Sequence, residues 1–262
     1  ESYKADLSAT ETAEAILKAT EVPEEPKKPE PKKPDTNWKS IFANPERFQK
    51  YGGEFLYPPR AENKVRPTAM MFGKLDNGTY IAEPKMNGSA TSVTIFENSV
   101  IAKERHNTFF SVPPTFDFQA MHRGKGAMCI VGEFMNKSKR DEEGKAFKGF
   151  CIWDLTAYEN EILIGSTIEE RLELLDKLYR TKGVIKTKEG TDLLYITEVP
   201  DIYKVANYDK GFEKLFNELT KIDMIEGFVL KRSNARLEMM TSETNNQGAF
   251  IKLRKPSANY EF

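Results

Sequence analysis

Glu83-Pro84-Lys85-Met86-Asn87-Gly88 sets a lysine at the end of a strand-like run and follows it at once with Asn-Gly, a dipeptide that turns the chain sharply. Taken alone, a lysine beside a turn is a solvated surface residue. The segments downstream change that reading. Lys103-Glu104-Arg105 ends a second run, Gly132-Glu133-Phe134 a third, and Phe150-Cys151-Ile152-Trp153-Asp154 is an apolar run closed by an aromatic and an acid. Glu226-Gly227-Phe228-Val229-Leu230-Lys231 and Phe250-Ile251-Lys252-Leu253-Arg254-Lys255 complete an ordered series. Acids and bases recur where apolar, strand-forming runs begin or stop.

Outward from this series, the chain from Trp38 onward is made of short β-branched and aromatic runs broken by turns. Strands are predicted over Thr79 to Ala82, Ala90 to Phe96, Ser99 to Lys103, Ala127 to Phe134, Gly149 to Leu155, Gly227 to Lys231 and Ala249 to Leu253. Asn77-Gly78 and Glu97-Asn98 are the predicted hairpin turns. Helical spacing occurs from Thr167 to Tyr179, where Ile168, Leu172, Leu175 and Leu178 share a face, and again from Tyr208 to Leu219. Many strands, few helices and no regular alternation of the two predict an α+β fold with antiparallel sheets.

The 262 residues are enough to bury a sizeable core. Cys129 and Cys151 are too few for a disulfide framework or a four-ligand zinc site, which points to a reducing compartment. His106 and His122 lack the partner spacing of metal ligands and read as polar surface or core residues. No apolar stretch approaches the roughly 20 residues of a membrane span, so a soluble, cytoplasmic protein is expected. A net charge of −1 excludes a strongly basic nucleic-acid binder of the histone kind. The charge is uneven: residues 1–37 hold 6 lysines against 9 acids, leaving 33 basic and 31 acidic residues over 38–262. Five of the 14 prolines fall between Val22 and Asp35, so 21–37 reads as a disordered Pro/Lys/Glu-rich linker. Before it, Ser8 and Glu11 form a capping box ahead of Ala13, Ile16 and Leu17, and 1–20 reads as a short amphipathic segment that docks on a protein partner. The folded domain is expected over 38–262. The chain starts without an initiator Met, as a processed product or a piece of a longer protein would.

Taken in order, the charged segments from about Phe55 onward resemble the covalent nucleotidyltransferases: ATP-dependent DNA ligases, RNA ligases and messenger-RNA capping enzymes. The first motif of that superfamily is Lys-x-Asp-Gly, whose lysine becomes nucleotidylated, and Lys85 falls on it with Asn87 in place of the aspartate. The third motif falls on Glu133, the aromatic-acid strand on Trp153 and Asp154, the fourth on Glu226 with Lys231 closing it, and the fifth on Lys252 with Arg254 or Lys255. The resemblance implies an adenylation domain of the small phage-type ligases, with ATP as cofactor, AMP carried on Lys85, and Mg²⁺ or Mn²⁺ held by Glu226 and Glu133. It also implies a setting in DNA repair or replication, in bacterial or phage-infected cytoplasm.

Beside the resemblance stands the chemistry of each position. A lysine amine is almost wholly protonated at neutral pH, so a nucleophilic Lys85 needs neighbours that disfavour its charge. Lys252, Arg254, Lys255 and a bound dication supply such neighbours and would offset charge on the α-phosphate as pyrophosphate leaves. Trp153 offers a surface on which a purine stacks. Glu83 matches the acid that accepts from the adenine amino group, and guanine offers no such donor at O6, so ATP is favoured over GTP. Arg105 matches an arginine near the ribose or the substrate phosphate.

Two departures shape the substrate reading. Position 90, where DNA ligases and capping enzymes carry an arginine, is alanine, as in many RNA ligases. Only seven residues follow Lys255, so the C-terminal oligonucleotide-binding barrel of most relatives is not expected. Nicked duplex DNA is the favoured substrate on Glu83 and Arg105; RNA is the alternative on Asn87 and Ala90. A third reading is an inactive nucleotidyltransferase-like module tethered to a larger assembly. Lys137, Lys139, Arg140, Lys145 and Lys148 form the densest basic cluster, read either as a nucleic-acid grip or as an exposed hairpin balanced by Asp141, Glu142 and Glu143.

Overall fold

The computed structural model describes residues 59–65, 67–106, 108–238 and 246–256. The expectations for 1–20, for 21–37 and for the part of the domain before Pro59 lie outside the described residues. In chain order the elements begin with β1 (Arg60–Val65), α1 (Ala69–Leu75), β2 (Tyr80–Met86), β3 (Gly88–Ile95), β4 (Val100–Glu104), β5 (Met128–Met135), β6 (Phe150–Tyr158) and β7 (Glu161–Ile162). There follow α2 (Ile168–Leu178), β8 (Gly183–Lys186), β9 (Asp192–Ile196), β10 (Ile202–Val205), α3 (Phe212–Leu219), β11 (Ile225–Arg232) and β12 (Asn246–Arg254).

The strands form two sheets. The smaller has the order β1-β12-β11-β2, and the larger runs β4-β3-β5-β6-β10-β9-β8, with β7 paired to β6. The fold is α+β, as the many strand-like runs and few helical ones predict. The sheets are mixed, however: β1 pairs parallel to β12 and β10 parallel to β6, while the other pairings are antiparallel. The chain between β6 and β10 detours through α2, β8 and β9, and such a long crossover is what a parallel neighbour requires.

Local chemistry sets the element ends. Thr167 caps α2 through its hydroxyl, which accepts the Glu170 N–H at 3.2 Å, while the Glu170 carboxylate accepts the Thr167 N–H at 2.7 Å. The carboxylate of Asp76, which ends α1, accepts the N–H groups of Gly211 and Phe212 at 2.8 and 3.3 Å and so supplies acceptors at the start of α3. Glu97-Asn98 does turn β3 into β4. Asn77-Gly78 does not make a hairpin: the run before it is the helix α1, and the dipeptide joins that helix to β2, with Gly78 at φ 79°.

Apolar side chains of both sheets meet in one cluster, with Ala82, Met86, Phe228, Leu230 and Leu253 from the smaller sheet and Met135, Cys151, Leu194 and Val205 from the larger. A second cluster joins Val93, Ile130, Phe134, Phe150 and Ile152 of the larger sheet to Leu175 and Tyr179 at α2. Cys129 and Cys151 are buried free thiols. No helix among the described residues is long and apolar enough to cross a membrane.

Candidate active site

Side chains in a strand alternate between faces, so register decides which charges meet. Across the smaller sheet Lys85 lies opposite Gly227, which lies opposite Arg254; the next rung holds Glu83, Val229 and Lys252, and the next Ile81, Lys231 and Phe250. One face thus carries Lys85, Glu83, Lys231, Lys252 and Arg254. The β11 register shifts between Ile225 and Gly227, which makes Glu226 the extra residue of a bulge. A bulge re-aims its side chain, and here Glu226 joins the same face. Gly227, at φ 152°, is a position that any side chain would crowd: a Cβ there would stand 1.9 Å from the Leu253 carbonyl oxygen.

The facing wall comes from the larger sheet. Glu133 on β5 lies opposite Ala90 on β3, and Arg105 follows β4. The β5–β6 register shifts where Val131 pairs with Asp154 and Gly132 with Ile152, leaving Trp153 as a second bulge residue. The two walls enclose a cavity of about 550 Å³, in the size range of small-molecule sites.

Charges inside the cavity are tightly coupled. Lys85 Nζ lies 2.6 Å from Glu226 Oε2, and Arg254 Nη2 lies 3.5 Å from the same oxygen. The Gly88 N–H donates to Glu133 Oε1 at 3.1 Å. Burial pushes the Glu133 carboxyl up from its ordinary range to about 7; Lys85 opposes that rise and the neighbouring Glu226 adds to it. Deeper in, Lys231 Nζ donates to Glu83 at 2.7 Å and to the Trp153 carbonyl at 3.0 Å, and stands 4.9 Å from the centre of a Trp153 ring. Burial raises the Glu83 carboxyl against the pull of Lys231. Asp154, next in sequence to Trp153, is held by a two-pronged contact with Arg171 at 2.8 and 3.0 Å. Burial works to raise this carboxyl too, but Arg171 overrides it and leaves the group below its usual value. The turn after the lysine is fixed as well, since the Asn87 N–H donates to the Met224 carbonyl at 2.9 Å.

Lys85, Glu83, Arg105, Glu133, Trp153, Glu226, Lys231, Lys252 and Arg254 therefore line one cavity. Lys255 is not among them. Its ammonium donates to the carbonyls of Thr220 and Ile222, each at 3.0 Å, at the end of α3. Two cations of the basic cluster are matched by acids: Lys139 lies 3.0 Å from Asp223, and Lys145 lies 2.5 Å from Glu143. Sequence reasoning missed Arg60, His106 and Phe250 in the lining. The rung shared with Lys231 would have found Phe250; Arg60 sits on a strand that alternation did not mark.

Among the described residues no group of three His, Cys, Asp or Glu side chains could by itself hold a metal ion. Glu133 and Glu226 nonetheless give two hard oxygen donors, and although burial is the main reason the Glu133 carboxyl is raised, repulsion from Glu226 adds to it. That pair fits Mg²⁺, which takes one or two carboxylates and completes its shell with phosphate oxygens and water.

No protein-family model matches the chain, and no curated protein is similar to it. Solved structures are. The chain is similar to a mycobacterial DNA ligase D complexed with ATP and MES, at 15% identity and a TM-score of 0.50, covering 73% of this chain and 59% of that one. It is also similar to the ligase domain from M. tuberculosis LigD, at 15% identity and a TM-score of 0.51, covering 75% and 60%. The chain thus spans about three-fifths of the length of these structures. What it shares with these DNA ligase structures is their fold.

Proposed function

We propose that this chain is an ATP-dependent polynucleotide ligase that works through AMP carried covalently on Lys85. The observation that supports this most is the setting of the Lys85 amine. It stands in a nucleotide-sized cavity, on one face with Lys252 and Arg254, opposite Glu133 and Trp153, and 2.6 Å from Glu226. In this reading the Lys85 nitrogen attacks the α-phosphorus of ATP, a P–N bond forms, the bond to pyrophosphate breaks, and the amine loses a proton. Lys252 and Arg254 stabilise the phosphate charge as pyrophosphate departs. A dication held by Glu226 and Glu133 would supply further shielding of that charge. The adenylate then passes to a 5′-phosphate, and a 3′-hydroxyl displaces AMP to join the strands.

The base is read by Trp153, through stacking, and by Glu83, an acceptor held in place by Lys231. The ATP complex of the mycobacterial ligase supports an adenine nucleotide over GTP. Glu83 and Arg105 favour nicked duplex DNA. Ala90 supports a second reading, RNA joining, because it leaves the site opposite Glu133 without a side-chain cation.

Incubation with labelled ATP and Mg²⁺ followed by denaturing electrophoresis tests the proposal. The protein should retain an acid-labile AMP, and Lys85→Ala should retain none. Undiminished labelling of that variant would end the assignment. Nick sealing run beside single-stranded RNA joining then separates the two substrates.

A further inference from the structure

Met70 and Phe109 are the large apolar side chains left exposed among the described residues, at 52% and 63%. Single exposed apolar residues are ordinary, so position has to decide whether either matters. Met70 lies on α1, and nothing around it points to a ligand. Phe109 sits on the return arm of a hairpin that extends β4 past the edge of the larger sheet. The Glu104 N–H donates to the Thr108 carbonyl and the Phe110 N–H to the Ala102 carbonyl, both at 2.9 Å, and Phe109 bridges Lys103.

Register gives the face. Phe109 lies across from Lys103, Lys103 across from Ser92, and Ser92 across from Val131, two residues before Glu133. Phe109 therefore shares the sheet face that bears Glu133 and walls the cavity. Its neighbour Phe110 takes the other face and stacks on Phe134, with ring centres 4.5 Å apart. That contact anchors the hairpin and leaves the Phe109 ring in solvent. The turn between the arms carries Arg105 and His106 into the rim of the cavity, and the Lys103 ammonium stands 5.0 Å from the Phe109 ring centre. Glu104 is the one acid of this hairpin.

An exposed aromatic face flanked by a lysine and an arginine is the chemistry that holds a nucleobase by stacking while cations meet the adjoining phosphates. Beside a nucleotide cavity, a polyanion with planar bases is the occupant that matches both the cations and the ring. We infer that Phe109, with Lys103 and Arg105, is a stacking platform for an unpaired base of the polynucleotide whose end enters the cavity. This rests on the ligase reading above and names a contact outside the ATP site.

The test compares the full chain with Phe109→Ala, Phe109→Leu and Phe109→Trp, using fluorescent 5′-phosphorylated single strands of equal length, in DNA and in RNA, with normal or abasic residues near the 5′ end. The wild type and Phe109→Trp should bind at least one base-containing strand roughly 5- to 150-fold more tightly than its abasic counterpart, the range expected for one stacked base. Phe109→Ala and Phe109→Leu should bind both kinds of strand at the abasic level, and ATP self-labelling of all variants should equal the wild type. Equal affinity of Phe109→Ala and wild type for base-containing strands, or no preference of the wild type for bases over abasic sites, would overturn the platform. Absence of self-labelling in the wild type would instead overturn the ligase reading, and the binding comparison would still decide the role of Phe109.

Discussion

Glu133 carries the clearest consequence at the scale of a single residue. Its carboxyl sits at about 7 in the folded protein against an ordinary 4.5. Between those values the native state keeps a proton that the unfolded chain releases, so this group costs no stability below pH 4.5 and a growing amount as pH rises to 7. The loss amounts to at most about 3 kcal/mol for a shift of this size. Thermal unfolding from pH 4 to 8 should show Glu133→Gln matching the wild type at the acid end and exceeding it at the alkaline end; parallel curves would contradict the coupling to burial and Glu226. Gly227 makes a steric prediction. With a Cβ placed 1.9 Å from the Leu253 oxygen, Gly227→Ala should lower stability by roughly 2–4 kcal/mol, seen as a fall in the denaturant midpoint with an unchanged slope.

Among the elements, α2 and α3 each rest on a polar contact that can be cut. Arg171→Met would leave Asp154 buried beside Trp153 without its partner and should cost about 3–5 kcal/mol by chemical unfolding. Lys255→Met removes two donors from carbonyls at the end of α3, a loss of about 1–3 kcal/mol that Lys255→Arg should partly restore. ATP self-labelling should survive in the soluble Lys255→Met protein, since its ammonium does not reach the cavity; abolished labelling with intact folding would return Lys255 to the chemistry. These two residues also mark how far the sequence can be read. Lys252 and Arg254 are two apart and share a face by strand alternation, so the choice between Arg254 and Lys255 was available without coordinates. The bulges at Glu226 and Trp153 were not, because a register shift is a property of two paired strands. The helix α1 contains Gly73, a poor helix former, and β8 to β10 are short strands, of four or five residues, around Lys186, Asp192 and Asp201; neither gives a long periodic signal.

For the whole molecule, the proposed ligase would grip nucleic acid through charge, and the excess over 38–262 is small, 33 basic against 31 acidic residues. Lys139 and Lys145 are already opposed by Asp223 and Glu143, and the three cations at and beside the cavity rim, Arg60, Arg105 and Lys103, are the phosphate contacts of the proposed site. About three contacts imply that affinity for a nicked duplex falls roughly 40-fold between 50 and 200 mM salt, where ten would cost more than 10⁵-fold. Fluorescence-free filter binding across that salt range would expose a larger grip by its steeper slope. Overall architecture was legible because most strands are β-branched and aromatic runs set apart by turns, whereas the parallel pairings depend on where the chain goes between β6 and β10. The bulge at Trp153 has one more consequence. The chain has two tryptophans, Trp38 and Trp153, and the second stands on the cavity wall with an ammonium 4.9 Å from one of its ring centres. Its emission is thus a built-in optical gauge of what enters the cavity: an occupant sliding over the indole must alter the light it gives, and Trp38→Phe leaves a protein that reports its own filling with a single lamp.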